Sequence, residues 1–485
     1  MEPRINTDER RFMIKFCPVN DDGSLLLKKN SKIAVLDLTH GGIVIARKLT
    51  KITGSVTGVD VYKTLAPESL NELEKEGIKI STEPLDPSIF DIIIAPVHLD
   101  PDYPMIAKAS ARNIPIISHH QAVGHILSTY NLANKTFIEL TGTKAKTSTA
   151  ILLADILSTQ KKVISHTSRG LEDRSTGTII KKGLSITPAS IMTALDIVKD
   201  EKIDFDIFIA EVSIGGTGFA DIGIITTITN DYKIANNKKL ASDSKRRMVL
   251  DAKKGSKLVV NNDALRFFGA CRRDIEVISF TDSINATCNV YYENIDTKGG
   301  TIAYFLGKEH GKIGVREASD YDITSYKTAF VCAAAAALVL HIDPDTIEEA
   351  FLGFRGAQGR MTKRSVDGRI FIDNSNSGMD IRTAKKALSY AKEDKGRIIM
   401  VLGEEAKEVC EGLDPSGVEQ FIKDHLHELQ YLVLVGERMK PLTKDSPDPG
   451  EVKIYYACDL PGGITLAKSL TGEKDIILSC VKCFR

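Results

Sequence analysis

Phe137-Ile-Glu-Leu140 runs directly into Thr141-Gly142-Thr143-Lys144-Ala145-Lys146-Thr147-Ser148, and a helical pattern over 149–157 follows. A short apolar run, a Gly-containing turn rich in Lys and Thr, and an apolar helix make a strand–turn–helix unit. Such a turn aims backbone N–H groups and a helix N-terminus at a phosphate. Its Lys neutralises β/γ charge and its hydroxyl reaches Mg²⁺. These are P-loop properties, so Gly142, Thr143, Lys144, Ala145, Lys146, Thr147 and Ser148 are the expected binding set for ATP and Mg²⁺. A merely solvated Lys-rich turn would need neither the strand before it nor the helix after it. Two features depart from a full Walker A pattern. Ala145 stands where Gly is usual, and Leu140 occupies the upstream Gly position. If position 145 needs φ > 0, Ala costs roughly 1 kcal/mol there.

Working outward, β-branched runs alternate with amphipathic stretches on both sides of this unit. Ile33-Ala-Val-Leu-Asp37, a helical 43–49, Val56-Thr-Gly-Val-Asp60, Asp91-Ile-Ile-Ile-Ala95, a helical 105–112 and Ile114-Pro-Ile-Ile-Ser118 precede it. Phe205-Asp-Ile-Phe-Ile-Ala210 and Ile222-Gly-Ile-Ile-Thr226 follow it, and then Arg369-Ile-Phe-Ile-Asp373, Arg397-Ile-Ile-Met-Val-Leu402, Tyr431-Leu-Val-Leu-Val435 and Asp475-Ile-Ile-Leu478. Strand, helix, strand in this order predicts parallel sheets. Residues before 30 are expected to form a hairpin closed at Asp21-Asp-Gly23.

The chain is long enough for about three domains. Its 485 residues carry 64 Lys plus Arg against 64 Asp plus Glu, a balance that gives no global case for binding nucleic acid. Hydrophobic residues are 42% and charged residues 26%, which excludes disorder, and no apolar run reaches the roughly 20 residues of a membrane span. Met1-Glu-Pro-Arg-Ile-Asn-Thr-Asp-Glu-Arg-Arg lacks the apolar core of a secretory signal, so a cytoplasmic monomer without membrane insertion is expected. The eight cysteines are scattered over a long chain, and no disulfide framework is expected. Cys480-Val-Lys-Cys483 has metal-ligand spacing but no second pair, so it is not expected to hold zinc.

Gly142-Thr-Lys-Ala-Lys-Thr-Ser148 resembles the loop of the Mur ligases, which join an amine to a carboxylate at the expense of ATP, and further matches follow in order. Ile209-Ala-Glu211-Val-Ser213 is similar to the strand whose terminal Glu holds Mg²⁺ in that family. Thr227-Ile-Thr-Asn230-Asp231-Tyr232 with Ala241-Ser-Asp-Ser-Lys245 is similar to the Thr-Asn-x-x-x-Asp-His segment and its downstream Lys, which many members carbamylate. Gly356-Ala-Gln-Gly-Arg360 resembles the Arg that opens the C-terminal domain, and Phe371-Ile-Asp373-Asn-Ser-Asn-Ser-Gly378 the segment that contacts nucleotide.

The resemblance implies a three-domain α/β fold: a Rossmann-like substrate-binding domain over 1–132, a central P-loop ATPase-like domain over 133–355, and a Rossmann-like ligase domain over 356–485. It also implies Lys146, Glu211, Lys245 and Arg360 as catalytic residues, Asn230, Arg360 and Asp373 as nucleotide contacts, and Thr147 and Glu211 as Mg²⁺ ligands. Tyr232 departs from the pattern, since the family usually has His there. A hinge at 353–359, where Gly353, Gly356 and Gly359 cluster, is expected to close the third domain over ATP.

Candidate substrate contacts are more scattered. Leu38-Thr-His40-Gly41-Gly42 follows the first strand and can accept a phosphate at a helix N-terminus, and Asp60 after the next strand has the place of a ribose-binding acid. Ser213 opens a Gly-rich, flexible-looking stretch, and Arg169 offers a cation to an acidic substrate. His119-His120 reads as a loop rather than a metal pair, because adjacent side chains of an extended segment diverge.

The loop's Lys-Ala-Lys sequence and Tyr232 suit the divergent archaeal branches. One is the pseudomurein peptide ligases, which implies amide formation on a small-molecule or nucleotide-linked peptide substrate for cell-wall biogenesis. The alternative is the branch that closes a carbocycle on a nickel seco-tetrapyrrole acid to give coenzyme F(430), which Leu36-Asp-Leu-Thr-His-Gly-Gly42 and Val59-Asp-Val-Tyr62 resemble. A non-catalytic nucleotide-binding protein with a worn P-loop is the reading from a different class. Lys146, Thr147, Glu211, Arg360 and Asp373 all argue for a working site.

Overall fold

The computed structural model describes residues 30–268, 272–284, 287–316, 318–405, 412–443 and 452–483. The hairpin expected before residue 30, and Cys17, Cys271 and Cys410, lie outside them. The chain folds into two compact units. The first holds the chain to Lys146 together with Leu157–Phe280, and the second holds Thr147–Ile156 and Thr281 onward.

The first unit opens with β1 (Ile33–Leu36), α1 (Ile43–Thr53), β2 (Val56–Val59), α2 (Pro67–Lys75), β3 (Lys79–Ser81), β4 (Ile92–Ala95), α3 (Pro104–Ala111), β5 (Ile116–Ser118) and α4 (His119–Leu127). The strands form a parallel sheet in the order β3-β2-β1-β4-β5. All four residues of β1 and of β4 are buried, as strands covered by helices on both faces must be. The chain reverses its direction of travel across the sheet between β1 and β4, the switch point at which open α/β sheets bind ligands.

His119 and His120 depart from the loop reading, since they form the first turn of α4. The Ser118 hydroxyl accepts from Gln121 N at 3.1 Å, while the Gln121 side chain accepts from Ser118 N at 3.0 Å. Ser-His-His-Gln is thus a capping box, a helix-start signal present in the sequence. Both imidazoles are buried: His119 Nε2 meets Leu36 O at 2.9 Å and His120 Nε2 meets Ser213 O at 2.8 Å.

The same unit continues through β6 (Thr136–Thr141), β7 (Val163–Thr167), β8 (Gly170–Asp173), β9 (Thr178–Lys181), α6 (Pro188–Asp200), β10 (Ile207–Glu211) and β11 (Ile222–Ile225), whereas α5 (Lys146–Ser158), which follows β6 in sequence, has residues 147–156 in the second unit. After these come the short pair β12 (Lys233–Ile234) and β13 (Lys239–Leu240), then α7 (Ala241–Lys245), α8 (Arg247–Leu250), β14 (Lys257–Asn261), α9 (Asn262–Phe268) and β15 (Glu276–Phe280). Strands β15-β14-β11-β6-β10-β7 run parallel, and β8 and β9 extend the edge antiparallel. One apolar core joins the two sheets' helices. Ile45 and Leu49 of α1, Val123 and Ile126 of α4, and Ile191 and Leu195 of α6 belong to it.

The second unit contains the antiparallel meander β16 (Val290–Asp296), β17 (Gly299–Leu306) and β18 (Glu309–Arg316), then α10 (Lys327–Val339) and α11 (Pro344–Gly353). Next come β19 (Thr362–Val366), β20 (Arg369–Asp373), α12 (Ile381–Ala391), β21 (Ile398–Glu404), α13 (Pro415–His425), β22 (Tyr431–Val435), β23 (Lys453–Ala457), α14 (Leu460–Leu470) and β24 (Ile476–Lys482). These strands order as β19-β20-β24-β21-β22-β23, parallel except at the β19 edge. Cys480 lies inside β24 and, like Cys483, is buried; burial pushes the Cys480 thiol well up, which suits a core side chain.

The Gly-rich segment 353–359 is a packed turn with both of its sides in the second unit. Gly356 and Gly359 have φ of 79° and 75°, and Ala357 N donates to the Tyr326 hydroxyl at 2.8 Å. Tyr321, Tyr326, Phe330 and Phe354 stack edge to face beside it.

Candidate active site

In the first unit, β6 ends and the turn 141–146 begins with a backbone only Gly can adopt. Gly142 has φ 150°, and a Cβ there would stand 2.1 Å from Thr226 Oγ1 and 3.0 Å from Thr227 O. The turn is tied to the end of β11: Thr143 N donates to Thr227 O at 2.8 Å, and Thr226 Oγ1 donates to Lys144 O at 2.6 Å. Ala145 has φ 65°, so the position does require the left-handed conformation that favours Gly. The helix starts at Lys146, earlier than the sequence pattern predicts.

Lys146 Nζ donates to Gly142 O at 3.1 Å and lies 3.9 Å from Glu211 Oε1. Glu211 is buried at the end of β10, and its Oε2 accepts from Ser168 N at 3.1 Å. The structure therefore brings Lys146 and Glu211 together, with the loop after β7 beside them. Arg169 in that loop pairs with the buried Glu172 at 3.1 Å, so its charge has an internal partner.

The stretch after Glu211 differs from the flexible loop the sequence suggests. Ser213 N donates to Ile186 O at 2.9 Å and Gly215 N to Thr141 Oγ1 at 3.1 Å. A Cβ on Gly216 would meet Met248 Sδ at 2.4 Å. Thr217 is held through its N–H, 2.7 Å from Glu139 Oε2, and through its hydroxyl. Here the glycines permit close packing rather than motion.

Lys245 is fully buried on α7, its ammonium 4.6 Å from the centre of the Tyr232 ring. Tyr232 thus presents the face of its ring to the buried cation. Asn230 is exposed with φ 61°. Asp263 is not singled out by the sequence, yet its Oδ2 accepts from the N–H groups of Ile228 and Thr229 and from both the Thr227 and Thr229 hydroxyls. Nothing in its Asn-Asp-Ala-Leu context distinguishes it from a helix-start acid.

In the second unit, Arg360 donates to Thr147 Oγ1 at 2.9 Å and to Asn376 Oδ1 at 3.4 Å. Asn376 Nδ2 in turn donates to Gly359 O at 2.7 Å, which fixes the Arg-bearing turn to the segment after β20. Asp373 ends β20, buried, accepting from Ser375 N at 3.1 Å. Thr147 and Ser148 are buried as well.

The turn after β1 carries the remaining candidates. Gly41 has φ 98° and Gly42 lies so close to the chain that a Cβ would stand 2.2 Å from Asp37 O. His40 Nδ1 is 2.8 Å from Asp37 Oδ2, an acid that the sequence does not single out. Burial alone would raise the Asp37 carboxyl, but hydrogen bonds and charge from His40 and His98 carry it well below the usual carboxylate range. Asp37 in turn raises His40. Asp60 is buried and accepts from Leu65 N at 3.1 Å within its own turn.

This architecture has counterparts. MurF from Acinetobacter baumannii superposes with a TM-score of 0.55 at 15% identity, over 76% of this chain and 78% of that one, so the fold is that of a Mur ligase. Among curated sequences, the coenzyme F(430) synthetase of Methanosarcina acetivorans is 45% identical over 94% of this chain and 99% of its own length. That of Methanocaldococcus jannaschii is 25% identical over 80% and 87%. The model of the coenzyme F430 synthetase CfbE C-terminal domain matches residues 363–483. The chain belongs to the coenzyme F(430) synthetase family.

Proposed function

We propose that this protein is an ATP-dependent ligase that closes a carbocycle on a nickel seco-tetrapyrrole acid, the reaction of a coenzyme F(430) synthetase. The observation that carries this is the 45% identity to one such synthetase over nearly the whole of both chains. The likeness favours this branch over the pseudomurein peptide ligases, so carbon rather than nitrogen is the nucleophile.

In this reading the three domains are 1–132, 133–355 and 356–485, and the roles fall on residues retained from the Mur pattern. The substrate carboxylate attacks the γ-phosphorus of ATP, ADP leaves, and an acyl phosphate results. A carbon nucleophile, having lost its proton to solvent or a base, then attacks the acyl carbon, and phosphate leaves as the C–C bond forms. The 142–148 turn cradles the nucleotide phosphates, with Lys146 offsetting their charge. Arg360 stabilises charge on the transferred group, and Asn230 and Asp373 contact the nucleotide. Lys245 is the fourth catalytic residue of the reading, held against Tyr232. Thr147 and Glu211 are the proposed Mg²⁺ ligands, a hydroxyl and a carboxylate of the kind a hard cation takes, and Mg²⁺ would supply positive charge to phosphate oxygens. His40, Gly41, Gly42, Asp60, Arg169 and Ser213 are the proposed substrate contacts, at strand ends and adjoining loops. The substrate is a small molecule, and no helix among the described residues is long and apolar enough to cross a membrane.

The test offers the purified protein ATP and Mg²⁺ with either the seco-tetrapyrrole acid or a UDP-linked peptide plus amino acids. ADP release with the first, and a product lighter by one water, is the expected result. Turnover only with the second would restore the peptide-ligase reading.

A further inference from the structure

The N-terminal sheet presents a group of side chains that the ligase reading does not use as a unit. Asp37 directly follows β1, His40 stands three residues on, and His98 comes three residues after β4. Strands β1 and β4 flank the switch point of this parallel sheet, so all three residues rise from the edge where such sheets take ligands. Asp37 Oδ1 is occupied by the N–H groups of Thr39 and His40, at 3.1 and 3.2 Å. That leaves Oδ2 turned toward the two imidazoles, 2.8 Å from His40 Nδ1 and 3.3 Å from His98 Nε2.

The ligand atoms of all three residues lie within 4.8 Å of one another, and no other such trio of His, Cys, Asp or Glu occurs among the described residues. The two rings stand edge to face, at 87° with centroids 5.1 Å apart, and one nitrogen of each approaches the same Asp37 oxygen. Asp37 is fully buried whereas the His40 and His98 side chains are 38% and 31% exposed, which leaves one side open.

We infer that Asp37, His40 and His98 bind one divalent first-row transition-metal ion, with at least one coordination position left for an oxygen of a bound ligand. Two imidazoles and a carboxylate are the donor set of zinc, cobalt and nickel sites. Mg²⁺ and Ca²⁺ prefer oxygen alone. Three protein ligands with an open fourth position match the arrangement of catalytic rather than structural zinc sites. Buried Asp37, fixed by its two backbone hydrogen bonds, is the rigid member, and the two half-exposed imidazoles close on the ion.

The test titrates the full chain, stripped with a chelator, with Co²⁺ followed by its visible absorption, and with Zn²⁺ by calorimetry. One equivalent should bind, with excess Mg²⁺ failing to displace it. His98→Ala and His40→Ala should each weaken binding by about tenfold or more, since losing a ligand exceeds the usual cost of losing a ligand's support. The exposed His310→Ala should bind as wild type. Thermal melts of the metal-free variants establish that they are folded, and His98→Gln replaces the alanine variant if it is not. No saturable binding, wild-type affinity in the two cluster variants, or an equal loss in His310→Ala would each overturn the site.

Discussion

Two turns of the first unit invite comparison, because both leave a central strand of a parallel sheet and enter a helix. After β1 the chain runs Asp37-Leu-Thr-His-Gly-Gly42, and after β6 it runs Gly142-Thr-Lys-Ala-Lys146. Each places a non-glycine residue at φ 65°, Asp37 in one and Ala145 in the other. Asp37 offsets the strain with its own side chain, which accepts from Thr39 N and His40 N. Ala145 has no such group, so its strain is held by neighbours such as Thr226, which grips the Lys144 carbonyl. The side chains differ in sign too. One turn gathers a carboxylate and imidazoles and suits a cation, while the other gathers lysines and amides and suits an anion. The same topology thus serves opposite charges, and a few side chains decide which.

Acid should produce the largest effect on both sheets. Burial holds His119 and His120, beside the first turn, and His166 on β7 down to about 4 from an ordinary 6.5. The unfolded chain therefore takes up protons that the folded chain refuses, and stability falls as pH drops from 6.5 towards 4. At the low end each imidazole accounts for roughly 3 kcal/mol. His40 has the opposite sign: its pKa is raised by Asp37, so its contribution is present below 6.5 and lost as pH rises through its folded value. A melting temperature that stays level between pH 6.5 and 4.5 would show that these imidazoles are not shielded as described.

Lys146→Ala should lower substrate-dependent ADP release by about 10²–10³-fold, the usual loss for one charge-stabilising donor, while the melting temperature hardly moves. Wild-type ADP release would remove the second turn from the nucleotide site.

Asp37→Ala should cost about 2 kcal/mol, losing a buried cap and leaving an alanine at positive φ, while Asp37→Asn keeps an oxygen for both N–H groups and should recover most of it. Equal melting temperatures for the two variants would mean the cap contributes nothing.

The smallest effect is the sharpest test of the comparison. Ala145→Gly should raise stability by about 1 kcal/mol or less, because relief of the left-handed strain is partly cancelled by the entropy of glycine in the unfolded chain. A clear drop in melting temperature would show that Ala145 is not strained.

Much of this is legible in the chain. Continuous β-branched runs announce the parallel strands, since strands buried on both faces must be apolar throughout. A strand–turn–helix unit depends on neighbouring residues, so the turn at Gly142 can be read locally, and so can the strand that ends at Glu211. Even the φ > 0 demand at position 145 follows from where glycine usually stands. Ser118 and Gln121 also carry their capping box openly, although the paired histidines between them suggest a loop.

Other features depend on residues distant in sequence and only the tertiary structure decides them. His98 joins Asp37 because β4 lies beside β1, 59 positions apart in the register of Ile33 with Ile92. Tyr232 meets Lys245 because the β12–β13 hairpin folds α7 back over it. The Gly215–Gly218 stretch is packed rather than mobile because Glu139, Thr141 and Met248 happen to border it. Local sequence determines which conformations and which chemistry each turn can hold, whereas the partners that fix pKa values and ligand sets are set by strand order, which no local stretch encodes.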